Sequence, residues 1–359
     1  MIIGVLKEPN DNRVALVPST LKKIKFTNTE FWIESNAGSN ASYPDKKYAK
    51  YGTVKDRTSI LKEADLLVTI NPIPDSELSL IKKNALLVGM LSPFANEAYI
   101  STLNKLGLRA MSLDLIPRTT LAQTMDILSS MAAISGYKAV LVAANESPSF
   151  FPMLITAAGS IKPCKVLVLG AGVAGLQAIA TARRLGAMVE AFDVRAAAQE
   201  EVESLGAKFV VVPGAIDQKD AGGYAVEQTK EFLEKQRLEV QNRASKADVI
   251  ITTAQIMGKK APILLTKETV DKMKPGSLVV DLAASTGGNC EITENNKTII
   301  YNGVKIIGNS YLSSEMPKDA SFFYSNNVAN YLKLIVQEEG TINLDMENEI
   351  IQKTHVTLN

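Results

Sequence analysis

Cysteine and histidine are almost missing from this sequence: its 359 residues include two cysteines, Cys164 and Cys290, and one histidine, His355. That scarcity excludes a disulfide framework and a self-contained structural zinc site, and it fits a reducing compartment; no metal site is expected. It also leaves a single imidazole as a possible acid or base, four residues from the C-terminal Asn359, where a frayed, solvated tail is expected. An excess of charge is missing too. Lys and Arg number 39 against 38 Asp and Glu, a net charge of +1, so nothing in the overall field draws the chain to nucleic acid. The clusters Lys22, Lys23, Lys25 and Lys46, Lys47, Lys50 read as solvated faces. Long hydrophobic runs are absent as well: the longest uncharged stretch, residues 166–182, is glycine-rich and shorter than the ~20 apolar residues that span a bilayer. The opening MIIGVLKEP lacks both the charged and the long apolar regions of a signal peptide. The expectation is a cytoplasmic chain with no direct membrane insertion.

What is present is a regular alternation of short apolar runs with helix-like segments. At 359 residues the chain exceeds the roughly 250–300 at which one core stops growing, so two domains are expected. Runs at Ile2–Leu6, Phe31–Ile33, Leu66–Ile70, Leu86–Leu91 and Arg109–Ser112 predict a first α/β unit with a parallel sheet. Residues 119–144 carry Met125, Leu128, Ala132 and Ala139 with few breakers and read as helical, interrupted at Gly136. A second unit starts at Lys165, with strands predicted at Lys165–Leu169, Met188–Asp193, Lys208–Val212, Asp248–Thr252, Ser277–Asp281 and Lys305–Ile307, the succession of a doubly wound sheet. Residues 213–245 read as an exposed loop followed by a helix. Val328, Tyr331, Leu332 and Ile335 have helical spacing over Asn326–Val336, a segment too short to stand alone and expected to return to the first domain. The predicted architecture is α/β, with two Rossmann-like domains built on doubly wound parallel sheets. The first comprises 1–126 and 310–359, the second 127–309.

Gly170-Ala171-Gly172-Val173-Ala174-Gly175 follows a predicted strand and opens a predicted helix, the context in which a GxGxxG match acquires meaning. Gly170 allows the tight turn, Gly172 lets the backbone approach a pyrophosphate, and Gly175 lets helix and strand pack closely, with the helix N-terminus facing the phosphate charge. Asp193 stands about 20 residues on, where a carboxylate accepts from the adenosine ribose and disfavours a 2′-phosphate. Arg195, two residues later, could hold that phosphate, so NAD and NADP both stay open at this point.

The segment RTTLAQTMDILSSMAAISGY at Arg118–Tyr137 resembles the signature loop and helix of the NAD(H)-binding component of proton-translocating NAD(P)+ transhydrogenase. Almost the whole chain shares the resemblance: GVLKEP with RVALVP near the start, VLGAGVAGLQAIATARRLGA, the FDVR of Phe192–Arg195, the AGGYA loop of Ala221–Ala225, and MKPGSLVVDLAASTGGNCE at Met273–Glu291. It implies NAD(H) on this chain and NADP(H) on a partner subunit. It also implies a homodimer, membrane subunits that carry the protons, and attachment to the inner membrane only through those partners. The matching residues are Arg118, Gln123, Asp126 and Ser129 at the nicotinamide end, with Arg118, Gln123 and Asp126 closest to the chemistry. Gly170, Ala171, Gly172, Val173, Gly175, Asp193, Val194 and Arg195 match at the fingerprint, Gly223 and Tyr224 in a mobile loop, and Gln236 and Gln255 beyond it. A nicotinamide carboxamide needs one donor and one acceptor, and the Gln123 amide supplies both. Arg118 and Asp126 are near enough in sequence to pair across a helix start. Tyr224 would give a glycine-hinged loop an amphipathic ring to lay on the nucleotide.

Leu121 stands where the family usually has an arginine or a similar residue, and Gln255 and Met257 replace residues of the family's TTALIPGKPAP. The chain also resembles alanine dehydrogenase, so two enzymatic readings compete. Oxidising an amine releases a proton along with the hydride and needs a positioned acid or base. The lysine and histidine of the alanine dehydrogenase pattern are here Asn71 and Ser92-Pro93. Direct transfer between two nicotinamides needs no such group, which favours the transhydrogenase reading. A non-catalytic NAD(H) sensor is a third possibility.

Overall fold

The computed structural model describes residues 1–212, 230–256 and 258–358. The chain divides into two compact units, Met1–Met131 together with Ser313–Asn359, and Ala132–Leu312. It passes from the first to the second inside a helix, Ile127–Glu146. The first turn of that helix gives Ile127, Leu128 and Met131 to the core of unit 1, and its later turns give Ala139, Val140 and Ala143 to the core of unit 2. By length and composition this helix could cross a membrane, alone among the described residues. Its residues packed in two cores are those of a helix inside a folded protein. It is continuous through Gly136, where the sequence suggests an interruption; a Cβ there would lie 2.0 Å from the Ala174 carbonyl oxygen, so glycine permits a close packing and breaks nothing.

Unit 1 is built on a six-stranded sheet: β1 (Ile2–Val5), β2 (Glu30–Glu34), β3 (Thr53–Lys55), β4 (Leu66–Val68), β5 (Leu86–Gly89) and β6 (Arg109–Ser112), in the order β3-β2-β1-β4-β5-β6. All its pairings are parallel. Helices on both faces explain why β4 and β5 are buried at every position and read as unbroken apolar runs. β3 escapes the sequence reading because it has three residues and sits at the sheet edge, with Val54 its one aliphatic residue.

Unit 2 opens with an antiparallel hairpin, β7 (Leu154–Thr156) and β8 (Gly159–Ile161). Its main sheet comprises β9 (Lys165–Leu169), β10 (Met188–Phe192), β11 (Lys208–Phe209), β12 (Val249–Thr252), β13 (Leu278–Asp281), β14 (Thr298–Tyr301) and β15 (Val304–Ile307). The order is β11-β10-β9-β12-β13-β15-β14, parallel except for the edge strand β14. That strand alternates exposed and half-buried residues, a weak signal beside the fully buried β12 and β13.

The C-terminal segment returns to unit 1 as a helix, Pro317–Ile335. Tyr324, Val328, Tyr331, Leu332 and Ile335 are all buried on one face at helical spacing. The helix starts nine residues before the sequence reading places it (326 − 317), with Pro317 at its first position. The apolar pattern is broken there by Ser321 and Ser325, which are nevertheless buried and accept from the backbone N–H groups of Val14 and Val17 at 2.9 Å each. Beyond it the chain runs along the free edge of β6, where Met111 and His355 form an antiparallel bridge and Val356 N donates to Ala110 O at 3.0 Å. The edge of the sheet is thereby covered. His355 is half-buried in this ordered segment, and the frayed tail expected around it is not what forms.

Candidate functional site

In unit 2 the order of strands reverses between β9 and β12, the place where doubly wound sheets leave a crevice for ligands. The glycine turn lies there. Gly170 adopts φ +102, a conformation glycine takes without strain. A Cβ on Gly175 would lie 1.8 Å from the Gly170 carbonyl oxygen, so the helix Val173–Arg184 can approach β9 only because residue 175 has no side chain. Gly172 differs. Nothing of the chain lies within 4 Å of a Cβ built on it, so internal packing does not demand glycine there; close approach of another molecule to the backbone does. Gly172 is the N-cap of that helix and provides no side-chain cap, and no acidic residue occupies the first turn. Uncapped N–H groups at the positive end of a helix fit a pyrophosphate.

Thr253, at the end of β12, was not singled out by sequence. Its backbone N donates to Leu169 O at 2.9 Å and its hydroxyl to Gly170 O at 3.0 Å, tying the glycine turn across the switch point. The other wall is organised by Asp281 and Asn289, also missed. Asp281 is fully buried and accepts from the backbone N–H groups of Ala283, Asn289 and Cys290 and from the Thr293 hydroxyl at 2.7–3.0 Å. Asn289 in turn donates to Ala254 O and Pro262 O at 2.8 Å each and accepts from Ala254 N at 3.0 Å. Their signal is positional: an apolar strand ending in a carboxylate, followed by a glycine-rich loop that supplies its donors.

Asp193 stands at the end of β10, beside the turn. One oxygen accepts from Ala171 N at 2.7 Å and from Arg195 Nη2 at 3.1 Å; the other accepts from Arg195 N at 2.9 Å and Arg195 Nε at 3.0 Å. Hydrogen bonding to Asp193 and its charge raise the Arg195 pKa above its ordinary value. Val194 is exposed between them. Gln236 lies half-buried on the helix Lys230–Ala244. Gln255 is exposed and donates to Leu282 O at 2.9 Å. Gly223, Tyr224 and Met257 lie outside the described residues.

Arg118, Gln123, Asp126 and Ser129 belong to unit 1. Residues Thr120–Met125 form a 3-10 turn ahead of the helix at Ile127. Gln123 and Arg118 are exposed, Asp126 and Ser129 half-buried. Asp126 does not pair with Arg118. Its carboxylate accepts from Ser129 N at 2.9 Å and from the Ser129 hydroxyl at 2.6 Å, so it caps the helix three residues upstream, a local arrangement that satisfies two donors without an ion pair. The turn holding Gln123 is pinned by the C-terminal helix: Asn327 and Asn330 donate to Thr124 O at 2.9 and 3.2 Å.

A second polar cluster occupies the switch point of unit 1, where β1 and β4 end. Glu8 accepts from Ile70 N, Asn71 N and the Asn71 amide at 2.6–3.1 Å. Arg13 grips Asp11 with two nitrogens at 2.9 and 2.5 Å. Burial pushes the Glu8 carboxyl up from its ordinary value. Burial acts the same way on Asp11, but hydrogen bonds and charge from Arg13 outweigh it and hold Asp11 at about 2. Asn71 stands between the two carboxylates, donating to Asp11 at 3.2 Å as well, and Ser92 turns at φ +50 with its N–H on Asp114. The polar partners in this cluster are Glu8, Asp11, Arg13, Asn71 and the serines of the returning segment; neither lysine nor histidine is among them. Among the described residues no group of three or more His, Cys, Asp or Glu side chains is placed to hold a metal.

Comparison with known proteins places this geometry among relatives. The family models described as alanine dehydrogenase/PNT, N-terminal domain and C-terminal domain, match residues 4–135 and 139–359. A protein of Rhodospirillum rubrum, the first of the separate polypeptides of NAD(P) transhydrogenase subunit alpha, is 42% identical over 99% of this chain and 96% of its own length. The crystal structure of transhydrogenase from Sinorhizobium meliloti superposes with a TM-score of 0.91 at 40% identity, covering 99% of this chain and 98% of that one. Alanine dehydrogenase 1 of Staphylococcus aureus is 28% identical over 81% of this chain and 74% of its own length.

Proposed function

The chain belongs to the alanine dehydrogenase/PNT family, and from that premise we propose that it is the NAD(H)-binding component of an NAD(P) transhydrogenase. The observation that carries this reading is the glycine turn itself, with Gly172 open to an approaching ligand and Asp193 hydrogen-bonded to the same turn through Ala171 N. Gly170, Ala171, Gly172, Val173 and Gly175 would cradle the pyrophosphate at the helix N-terminus, and Asp193, Val194 and Arg195 would face the adenosine ribose. Gly223, Tyr224, Gln236 and Gln255 would complete the nucleotide's surroundings. Arg118, Gln123, Asp126 and Ser129 would serve the nicotinamide end, where the Gln123 amide fixes the rotation of the carboxamide.

The nucleotide supplies a hydride from its C4. Transfer to the C4 of an oxidised NADP on a partner subunit moves two electrons with one hydrogen nucleus and frees no proton, so the chain needs to orient and to exclude water, not to act as acid or base. The unit 1 cluster suits that division of labour. Alanine oxidation would require an ionisable group to take up a proton, and Asn71 has none to offer. In this reading the chain works as a homodimer in the cytoplasm. It docks on an NADP(H)-binding subunit and on inner-membrane subunits that translocate protons. The hairpin β7–β8 supports the dimer: Ile155 is 73% exposed, with Met153, Leu154 and Ile161 exposed beside it, more apolar surface than an isolated hairpin keeps in water.

The test is titration of the isolated chain with NADH, followed by reconstitution with an NADP(H)-binding transhydrogenase component. NADH binding together with hydride transfer on mixing is the expected result. Alanine-dependent reduction of NAD+ by the chain alone would replace this reading with that of a dehydrogenase, and binding without transfer would replace it with that of a sensor.

A further inference from the structure

Asp193 is the residue whose charge favours NAD(H), yet its carboxylate is already fully engaged. Its side chain is 8% exposed and that of Arg195 35%. Of the four hydrogen bonds it accepts, two come from the Arg195 side chain, one on each oxygen, and two from backbone N–H groups of Ala171 and Arg195. The backbone donors are built into the turn and cannot leave. The guanidinium can, because it reaches solvent. A ribose diol binding to Asp193 must donate to the same two oxygens, and a carboxylate offers about four acceptor positions in all. The ribose hydroxyls and the Arg195 guanidinium therefore compete for the same lone pairs.

We infer that Arg195 sets the nucleotide selectivity of unit 2 by competing with the ribose for Asp193, so that the chain discriminates between NADH and NADPH less sharply than its aspartate alone would allow. Two effects act in the same direction. For NADH, the guanidinium must give up its hold on Asp193 before the 2′- and 3′-hydroxyls can donate to it, which weakens binding. For NADPH, the guanidinium neutralises Asp193 and, once displaced, offers a fork of donors to the 2′-phosphate, which strengthens binding. Glu201 also acts on Arg195 by its charge, and gives the displaced guanidinium an acidic neighbour. The position thus trades selectivity for looser, faster-exchanging NADH.

This inference rests on the assignment of NAD(H) to unit 2, and the experiment separates the two. NADH and NADPH are titrated into the full chain, into Arg195→Gln and into Arg195→Lys, with melting temperatures recorded alongside. Removing a partly exposed ion-pair partner from Asp193 should tighten NADH by up to about fivefold. Returning an unneutralised carboxylate to face a 2′-phosphate should weaken NADPH by about tenfold. Arg195→Lys keeps the charge but loses the fork, so it should tighten NADH while keeping most of the NADPH affinity, and it provides the comparison if the glutamine variant folds poorly. Unchanged or weaker NADH binding in both variants overturns the inference. If the unsubstituted chain binds neither nucleotide, the NAD(H) assignment fails and takes this inference with it.

Discussion

Gly172 and Gly175 stand three residues apart in one turn and answer to different demands. A Cβ on Gly175 would overlap the Gly170 carbonyl, whereas a Cβ on Gly172 would meet nothing of the chain. Gly175→Ala should force the turn open and destabilise unit 2 by about 1–3 kcal/mol, with NADH affinity lost as a consequence. Gly172→Ala should leave the melting temperature unchanged and weaken NADH by at least about tenfold, because the added methyl stands where the pyrophosphate approaches. A Gly172→Ala variant that binds NADH normally would show that no ligand comes close there. At Gln123 the expectation is kinetic. If its amide orients the nicotinamide, Gln123→Asn displaces that amide by one methylene, which can cost on the order of 100-fold in turnover with little change in binding. Turnover and NADH affinity falling together in the reconstituted complex would deny it an orienting role. The fingerprint glycines and Asp193 were legible because each is a residue type whose absence or charge is itself the signal. Thr253 and Asn289 were not, since a threonine after a strand and an asparagine after two glycines occur widely, and what they do depends on carbonyls more than 30 residues away in sequence.

Among elements, the turn Thr120–Met125 is the one whose position the function depends on, and its own sequence does not hold it. It has no side-chain cap. Asp126 serves the following helix, and the carbonyl of Thr124 is held from the far end of the chain by Asn327 and Asn330, one turn apart on the helix Pro317–Ile335. Asn327→Ala should remove the shorter of those two bonds, at a cost of about 1 kcal/mol, and let the turn drift while NADH still binds at the glycine turn. Hydride transfer in the reconstituted complex should fall several-fold with NADH affinity retained. Asn327→Gln, which can still donate, should recover part of the rate. Loss of NADH affinity to the same extent as turnover would reduce Asn327 to a purely structural part. The sequence showed this helix but not its extent. Ser321 and Ser325 interrupt its apolar stripe, and their burial is explained by backbone N–H donors in the Val14–Val17 segment, about 300 residues away, which no local pattern could supply. The pairing expected between Arg118 and Asp126 failed for a related reason: a carboxylate at an N-cap finds N–H donors three residues on before it finds a distant cation.

Over the whole molecule, the chain makes one unit from a single continuous segment and the other from two segments that meet after the first has been left and regained. The closure of unit 1 is chemical as well as apolar. Arg13, in the first segment, grips Asp11 and also donates to Ser313 at 3.2 Å, while Asn12 N donates to Ser314 at 3.0 Å. The Arg13–Asp11 pair therefore sits where the returning segment rejoins. Arg13 is 5% exposed, and a buried guanidinium stripped of its carboxylate costs about 3–5 kcal/mol, so Asp11→Asn should destabilise unit 1 by that order. Trp32, the single tryptophan, is buried in unit 1, so its fluorescence follows the unfolding of that unit in denaturant. The pH dependence has a definite sign. Asp11 is held at about 2, below its ordinary 3.8, so its contribution is fully present above about pH 4–5 and disappears as pH falls through the folded value. The linkage amounts to roughly 2–3 kcal/mol. Glu8 is shifted the other way, favouring its protonated form, so its contribution is greatest below its ordinary value and is lost as pH rises. The two residues act in separate windows, and the difference in stability between the natural chain and Asp11→Asn isolates the aspartate. That difference should be constant from pH 7 to about 5 and shrink steadily from about pH 4 to pH 2. A difference that stays constant down to pH 2, or a variant as stable as the natural chain at pH 7, would show that the returning segment is held by its apolar face alone.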